Sequence, residues 1–416
     1  MITFDSGLRE KLVRIAMPLI EQNLQPTPYH REVKEYLKQE EPELWKWFSS
    51  AQAKAEYTES LRLALLKSTY RLDGEGHGEL VQAAEEVKGK LGLTIPLTLY
   101  QSQQSSHLNA ALYYIPGEGH VVLSGPILSL LTPLELKAVI GHELAHYHLW
   151  QQEDGAFLVA DRILQAISEH PQAKPSHCHT ARRYCLHTEI FADRGSLVAT
   201  ENLEAVIAGL IKTQTGLQTV SGASYLKQAE EVFARSKVKS EEVSHPEAFI
   251  RARALRLWSE GAVNVAAEVN GMLQGAGGLD ELDLPGQLRL CDLTGRFLKQ
   301  LLRPNWFQTD ATLAHAKMFF NDFKPAREDD LELISALQFG DSKLNDYFAS
   351  LLLDFCVVDP ELNDLPLAAG IEWSRKLKIE EQFEKLLTKE LKVKTRDVKK
   401  LKNDAAEILQ KAEVQS

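Results

Sequence analysis

The clearest chemistry in the chain lies in Gly141-His142-Glu143-Leu144-Ala145-His146. On a helix, histidines at i and i+4 share one face about one turn apart, so both imidazoles can reach a single metal ion. Glu143 follows the first histidine, and from there its carboxylate can reach a water held at that ion, where a general base must be. A catalytic zinc needs a third protein ligand and keeps a fourth position open. Glu189-Ile190-Phe191-Ala192-Asp193 places two carboxylates on one face of a later helix, with the small Ala192 to let helices approach. Glu189 suits the third ligand of a His₂Glu site. Asp193 suits the acceptor that orients a ligand histidine. His177, His179 and His187 stand nearby as alternative ligands, although His187 should face elsewhere from Glu189. The longer HExxHxxGxxH pattern is absent. Leu149 and Gln152 occupy its Gly and third His positions, and His148 lies about 200° around the helix from His146.

The surrounding residues supply a helix to carry this pair. Thr132-Pro133-Leu134-Glu135 reads as an N-cap, a first-turn proline and a capping-box glutamate, and Leu136, Ala138, Val139, Ile140 and Ala145 form an apolar surface. Before it, a helix is expected over Leu80 to Leu91. Strands follow at Ile95 to Tyr100, His107 to Tyr114 and His120 to Leu123, then a short helix over Pro126 to Leu131. After it, helices are expected from Gly155 to Ser168 and from His177 to Thr200. Upstream, Leu8, Leu12, Ile15, Ala16 and Leu19 recur at helical spacing. A charged helix spans Arg31 to Gln39, and one helix from Pro42 to Ser68 carries Trp45, Trp47 and Phe48 as core or contact residues. The loop Asp73 to Gly78, which contains His77, marks a first boundary, and the linker Gly275 to Asp283 a second. The fold expected is mainly α with a small sheet: a helical region over 1–78, a site-bearing domain over 79–275 and a helical C-terminal domain over 280–416. Its basic stretch from Lys385 to Lys402 reads as a solvated helix face.

Composition narrows the function. With 416 residues and a formal net charge of -11, the chain has room for two or three cores and no electrostatic bias toward nucleic acid. Four cysteines, Cys178, Cys185, Cys291 and Cys356, form no CxxC pair, which points to reduced thiols in a cytoplasmic setting. The N-terminus lacks a signal-peptide pattern, and no segment is expected to span a bilayer.

The metal-helix motif with Leu134-Glu135-Leu136-Lys137-Ala138-Val139-Ile140 before it and Glu189 to Asp193 after it resembles the M48 family of zinc metallopeptidases, the CAAX prenyl protease and HtpX group. Asn109-Ala110 is similar to the family's Asn-Ala pair on a substrate-binding edge strand. Ser244-His245-Pro246, with Arg251 downstream, is similar to its Ser/Thr-His-Pro element. The resemblance covers residues 79 to 260. It implies a zincin-type (gluzincin) domain with one Zn²⁺ per chain on His142, His146 and Glu189, Glu143 as general base, and Asp193 orienting a ligand histidine. It further implies peptide contact at Asn109 and Ala110, and His245 near the oxyanion. The expected activity is metalloendopeptidase cleavage of peptide or protein substrates. The expected absence of a transmembrane helix departs from the family's membrane members. The competing expectation is an interaction protein whose metal site does no catalysis and whose helical flanks do the work. The C-terminal stretch Leu351 to Leu362, with Leu377-Lys378-Ile379, resembles TerB-like helical domains. A protein partner could bind there, and Asp354, Asp359 and Glu361 could hold a cation or simply line a solvated turn.

Overall fold

The computed structural model describes residues 24–415 apart from 104–106, 237, 243, 275–277 and 338–341. The helix expected over Leu8 to Leu19 lies outside the described residues. The chain divides into two compact units, Met1–Gly275 and Ala276–Ser416.

The first unit opens with α1 (Pro28–Glu40), α2 (Pro42–Phe48) and α3 (Ala51–Ser68). The single helix expected from Pro42 to Ser68 is therefore two, parted at Ser49-Ser50, whose hydroxyls compete for the backbone hydrogen bonds a helix needs. Trp45 and Phe48 pack against the core formed by α1 and α7 (Ala156–Ser168), whereas Trp47 is exposed. A four-residue strand, β1 (Thr69–Leu72), comes next, and α4 (Gly74–Lys90) starts where a loop was expected. Asp73 caps that helix by accepting from the Glu75 and Gly76 amides, and the backbone kinks at His77. The boundary expected at residue 78 thus falls within a helix, downstream of a strand that belongs to the sheet.

The sheet is completed by β2 (Leu97–Ser102), β3 (Asn109–Ile115) and β4 (Glu118–Ser124), in the order β1-β2-β4-β3. β2 and β4 run parallel, and the other pairs are antiparallel. β3 is an edge strand, in uninterrupted register with β4 from Asn109↔Ser124 to Ile115↔Glu118. The hairpin turn needs Gly117 at φ +82°. There the Gly117 amide donates to Tyr147 Oη at 3.1 Å. This contact ties the hairpin to the helix beneath it.

That helix is α6 (Pro133–Gln151), which follows the short α5 (Ile127–Leu130). Its start has the expected capping box: Thr132 Oγ1 accepts from the Glu135 amide, and Glu135 Oε2 accepts from the Thr132 amide at 2.8 Å. Ala138, Ile140, Leu144, Ala145, Tyr147 and Leu149 are all buried, so α6 is apolar nearly all round. It packs between the sheet and α8 (Pro175–Thr200), with α4 and α9 (Leu203–Thr215) against it as well. Two glycines bring α6 and α8 together. A Cβ on Gly141 would lie 2.6 Å from the Ala199 Cβ, and one on Gly195 would collide with the Ala145 Cβ. Close approach therefore rests on Gly141 and Gly195, whereas Ala192, expected in that role, is buried in the core. The unit ends with α10 (Gly222–Arg235), α11 (Ala248–Ser259) and α12 (Val265–Gln274).

The second unit is helical: α13 (Leu284–Leu301), α14 (Asp310–Phe319), α15 (Leu333–Ala336), α16 (Ser342–Val357), α17 (Leu365–Leu377), α18 (Glu380–Lys389) and α19 (Thr395–Gln415). These helices enclose a core of their own around Phe297, Phe348, Phe355 and Phe383. Among the described residues, its acidic side chains form no group that could hold a metal ion. Asp354 pairs with His315 at 2.7 Å, and Asp359 accepts from the Glu361 amide. All four cysteines are free, and no described helix is long and apolar enough to cross a membrane.

Candidate metal centre

α6 and α8 bring His142, His146 and Glu189 together. Their ligand atoms all lie within 4.8 Å of one another. His142 Nε2 is 3.3 Å from His146 Nε2 and 3.3 Å from Glu189 Oε2, and His146 Nε2 is 3.6 Å from Glu189 Oε1. Two imidazole nitrogens and a carboxylate converging on one point are a donor set for a zinc-like cation. Burial supports this fit. Glu189 Oε2 is buried with only histidine nitrogens close to it, His142 Nε2 at 3.3 Å and His245 Nε2 at 3.5 Å, an arrangement that a cation held between them would satisfy.

The electrostatics favour positive charge at the same point. Burial opposes ionisation of Glu189, yet His142, His146 and Arg251 hold its carboxyl well below the usual range. Burial alone would lower His142, but its bonds to Asp193 and Glu189 carry it up to about 10. His146 lacks such bonds, and burial pushes it down to about 4, leaving it the neutral imidazole that a ligand must be. Its ring is held by packing on Trp150, with centroids 5.5 Å apart.

Asp193 lies one turn beyond Glu189 and accepts from His142 Nδ1 at 3.1 Å. A carboxylate there fixes the ring so that Nε2 faces the other ligands. Arg251 from α11 grips the same carboxylate, Nε to Oδ2 at 2.7 Å and Nη2 to Oδ1 at 2.5 Å. This buried, two-pronged pair locks α11 to α8 behind the ligands. Sequence alone put Arg251 near the Ser244-His245-Pro246 element but could not name its partner. His245 is 58% exposed and puts Nε2 3.5 Å from Glu189 Oε2, while Nδ1 is 2.9 Å from Ser244 Oγ.

Glu143 is buried beside the ligands, and burial pushes its carboxyl up to about 7. It accepts from the Leu112 amide of β3. Because that amide points at Glu143, it points away from β4. Backbone groups alternate along a strand, so those of Ala110 share the open side with Leu112, while those of Asn109 and Ala111 turn toward β4. Asn109, Ala110, Leu112, His142, Glu143, His146, Glu189, Asp193 and His245 all line one cleft of about 1500 Å³. His177 instead caps the start of α8 by accepting from the Lys174 amide, His179 is in no metal-competent group of described residues, and His187 stacks on Tyr29. His148 packs on Phe191, away from the ligands.

A His-Glu-x-x-His helix, a carboxylate from a second helix and a small sheet above them make a mainly α domain with a candidate cation site. The comparisons carry this further. Residues 77–168 match the model of Peptidase family M48, a stretch that holds both histidines and Glu143 but ends before Glu189. The chain is similar to the plastoglobule-localized metallopeptidase 48, chloroplastic, of Arabidopsis thaliana, 28% identical over 202 residues, 44% of this chain and 56% of that protein. It is also similar to a protease HtpX homolog of Thermoplasma volcanium, 36% identical over 98 residues, 23% of this chain and 30% of the relative. The chain thus spans about half of the first relative's length and less of the second's. No solved structure matches it.

Proposed function

We propose that the chain is a zinc-dependent endopeptidase. The observation that carries this reading is the meeting, in one cleft, of a three-ligand cation site, a buried carboxyl beside it and an open strand edge. His142, His146 and Glu189 would hold the zinc, which would supply Lewis acidity for the attack of water on a peptide carbonyl. Glu143, buried beside the ligands, takes the proton of that water and hands it to the leaving amine. Asp193, held by Arg251, keeps His142 oriented. His245 reaches into the cleft from the side of Glu189, where it can donate to the developing oxyanion. The four free cysteines suit a reducing, cytoplasmic compartment, which we propose as the setting.

The test is cleavage of an unfolded, casein-like substrate by the full chain. A chelator should stop it and added zinc should restore it. Chelator-resistant cleavage, or none in zinc-loaded protein, would count against the reading.

Substrate binding follows from strand parity. An extended peptide can add to β3 through the groups that face away from β4. Those belong to Ala110, not to Ala111. Ala110→Pro should raise KM for long peptides and leave zinc content unchanged, because the lost amide faces the cleft. Ala111→Pro should cost stability, because its amide serves the β3–β4 ladder. Asn109, exposed at the strand's open end, adds a side-chain amide for the peptide backbone. The opposite ordering of the two prolines, seen in KM and in thermal melts, would refute the parity argument.

A further inference from the structure

The cleft continues from the ligands along α8, past Glu189 to Thr188, Cys185 and Cys178, and meets α7 at Asp161 and Leu164. Asp161 is a half-buried carboxylate on a helix that otherwise faces the core with Phe157, Leu158, Ala160, Ile163 and Leu164. It has no hydrogen bond or ion pair among the described residues. Its one favourable charge is that of the adjacent Arg162. Burial pushes its carboxyl up to about 6, so it is largely ionised at neutral pH and short of a counter-charge. Burial pushes the Cys185 thiol up to about 12, and the charges of Glu189 and Asp161 add to the rise. Cys185 is one turn from Glu189 on α8, about 6 Å along the axis. Asp161 thus lines the same cleft as His142, His146 and Glu189, on the wall formed by α7 and α8. Arg182 also lines the cleft, but its Nε and Nη2 donate to the carbonyls of Glu242 and Ser240 at 2.7 and 2.6 Å.

We propose that Asp161 is a specificity determinant: it receives the cationic side chain of a lysine or arginine that flanks the cleaved bond of the substrate. The inference rests on the peptidase reading for its biological sense. The binding itself does not require turnover. An extended chain lying along β3 turns alternate side chains toward opposite walls, and the α7–α8 wall carries Asp161 together with Leu164 and Cys185. A long aliphatic stem with a terminal cation suits that combination of apolar surface and carboxylate. An acidic side chain does not, because it would bring a second negative charge beside Asp161.

The experiment uses a fluorescent peptide series identical but for one position next to the cleavable bond: lysine, norleucine or glutamate. Affinity is read by anisotropy on the full-length, zinc-loaded Glu143→Gln protein, and kcat/KM on the Glu143 protein. Lysine should exceed norleucine by about ten- to hundredfold in both readouts, the range for a hydrogen bond to a charged group. Asp161→Asn, close to isosteric, should bring that ratio near one, and Asp161→Lys should turn the preference toward glutamate. A lysine-to-norleucine ratio unchanged by Asp161→Asn overturns the proposal, whatever the rate. Lysine-selective binding that disappears in Asp161→Asn, with no cleavage of any peptide, supports the charge-reading site and overturns the peptidase reading instead.

Discussion

Glu143→Gln should abolish peptide cleavage and leave zinc content at that of the unchanged chain. The amide keeps the shape of the side chain but cannot accept a proton, so the rate should fall by about 10²–10⁴-fold, the usual contribution of a positioned acid–base group. The metal stays because none of the three ligands changes. Glu143 also accepts the Leu112 amide, and the glutamine Oε1 can still do so, which keeps β3 in place. Single-turnover kinetics with metal analysis on the same preparation checks both halves. Cleavage at the original rate would remove Glu143 from the mechanism. Joint loss of cleavage and metal would show that the substitution disturbed the site itself.

Glu189→Ala should empty the site of zinc. The carboxylate is the one ligand contributed by α8, and without it two imidazoles leave the ion under-coordinated. Even partners behind the ligands change affinity by about 10–100-fold when removed, so loss of a ligand should exceed that in a competition titration against a chromophoric chelator. The substitution also strips His142 of a charge that, with Asp193, keeps it protonated. Its imidazole should then titrate lower, which NMR of the ring protons in the metal-free protein reads directly. Unchanged zinc content would reassign the third ligand, and the 3.3 Å approach of Glu189 to His142 would need another explanation.

The site was legible because its chemistry is local in sequence. The i, i+4 spacing on a well-capped helix fixes His142 and His146 on one face, and a capping box is readable from Thr132 and Glu135 alone. Glu189 and Asp193 were readable as a pair on one helix face. That this face meets α6 depends on Gly141 and Gly195, and a glycine inside a helix does not say what it packs against. Arg251 shows the same limit, since no spacing rule connects it to Asp193, 58 residues earlier. In the fold, β1 was missed because four residues, Thr69 to Leu72, continue the pattern of the preceding helix and become a strand only by pairing with β2. The break at Ser49-Ser50 was missed because the apolar pattern runs through it. The parity of β3 was beyond sequence altogether, because it is set by which side β4 occupies.

The open side of β3 lies inside the cleft, with helices on the facing wall. A strand still embedded in a sheet would bring its neighbours with it, and they would need room beside β3 within the same cleft. A single extended chain has no such neighbours. On the proposed reading, the cleft is a sieve for the folding state of its substrate: it admits loops, termini and unfolded segments and turns away intact domains. No recognition motif is needed for that choice, only the width of the gap.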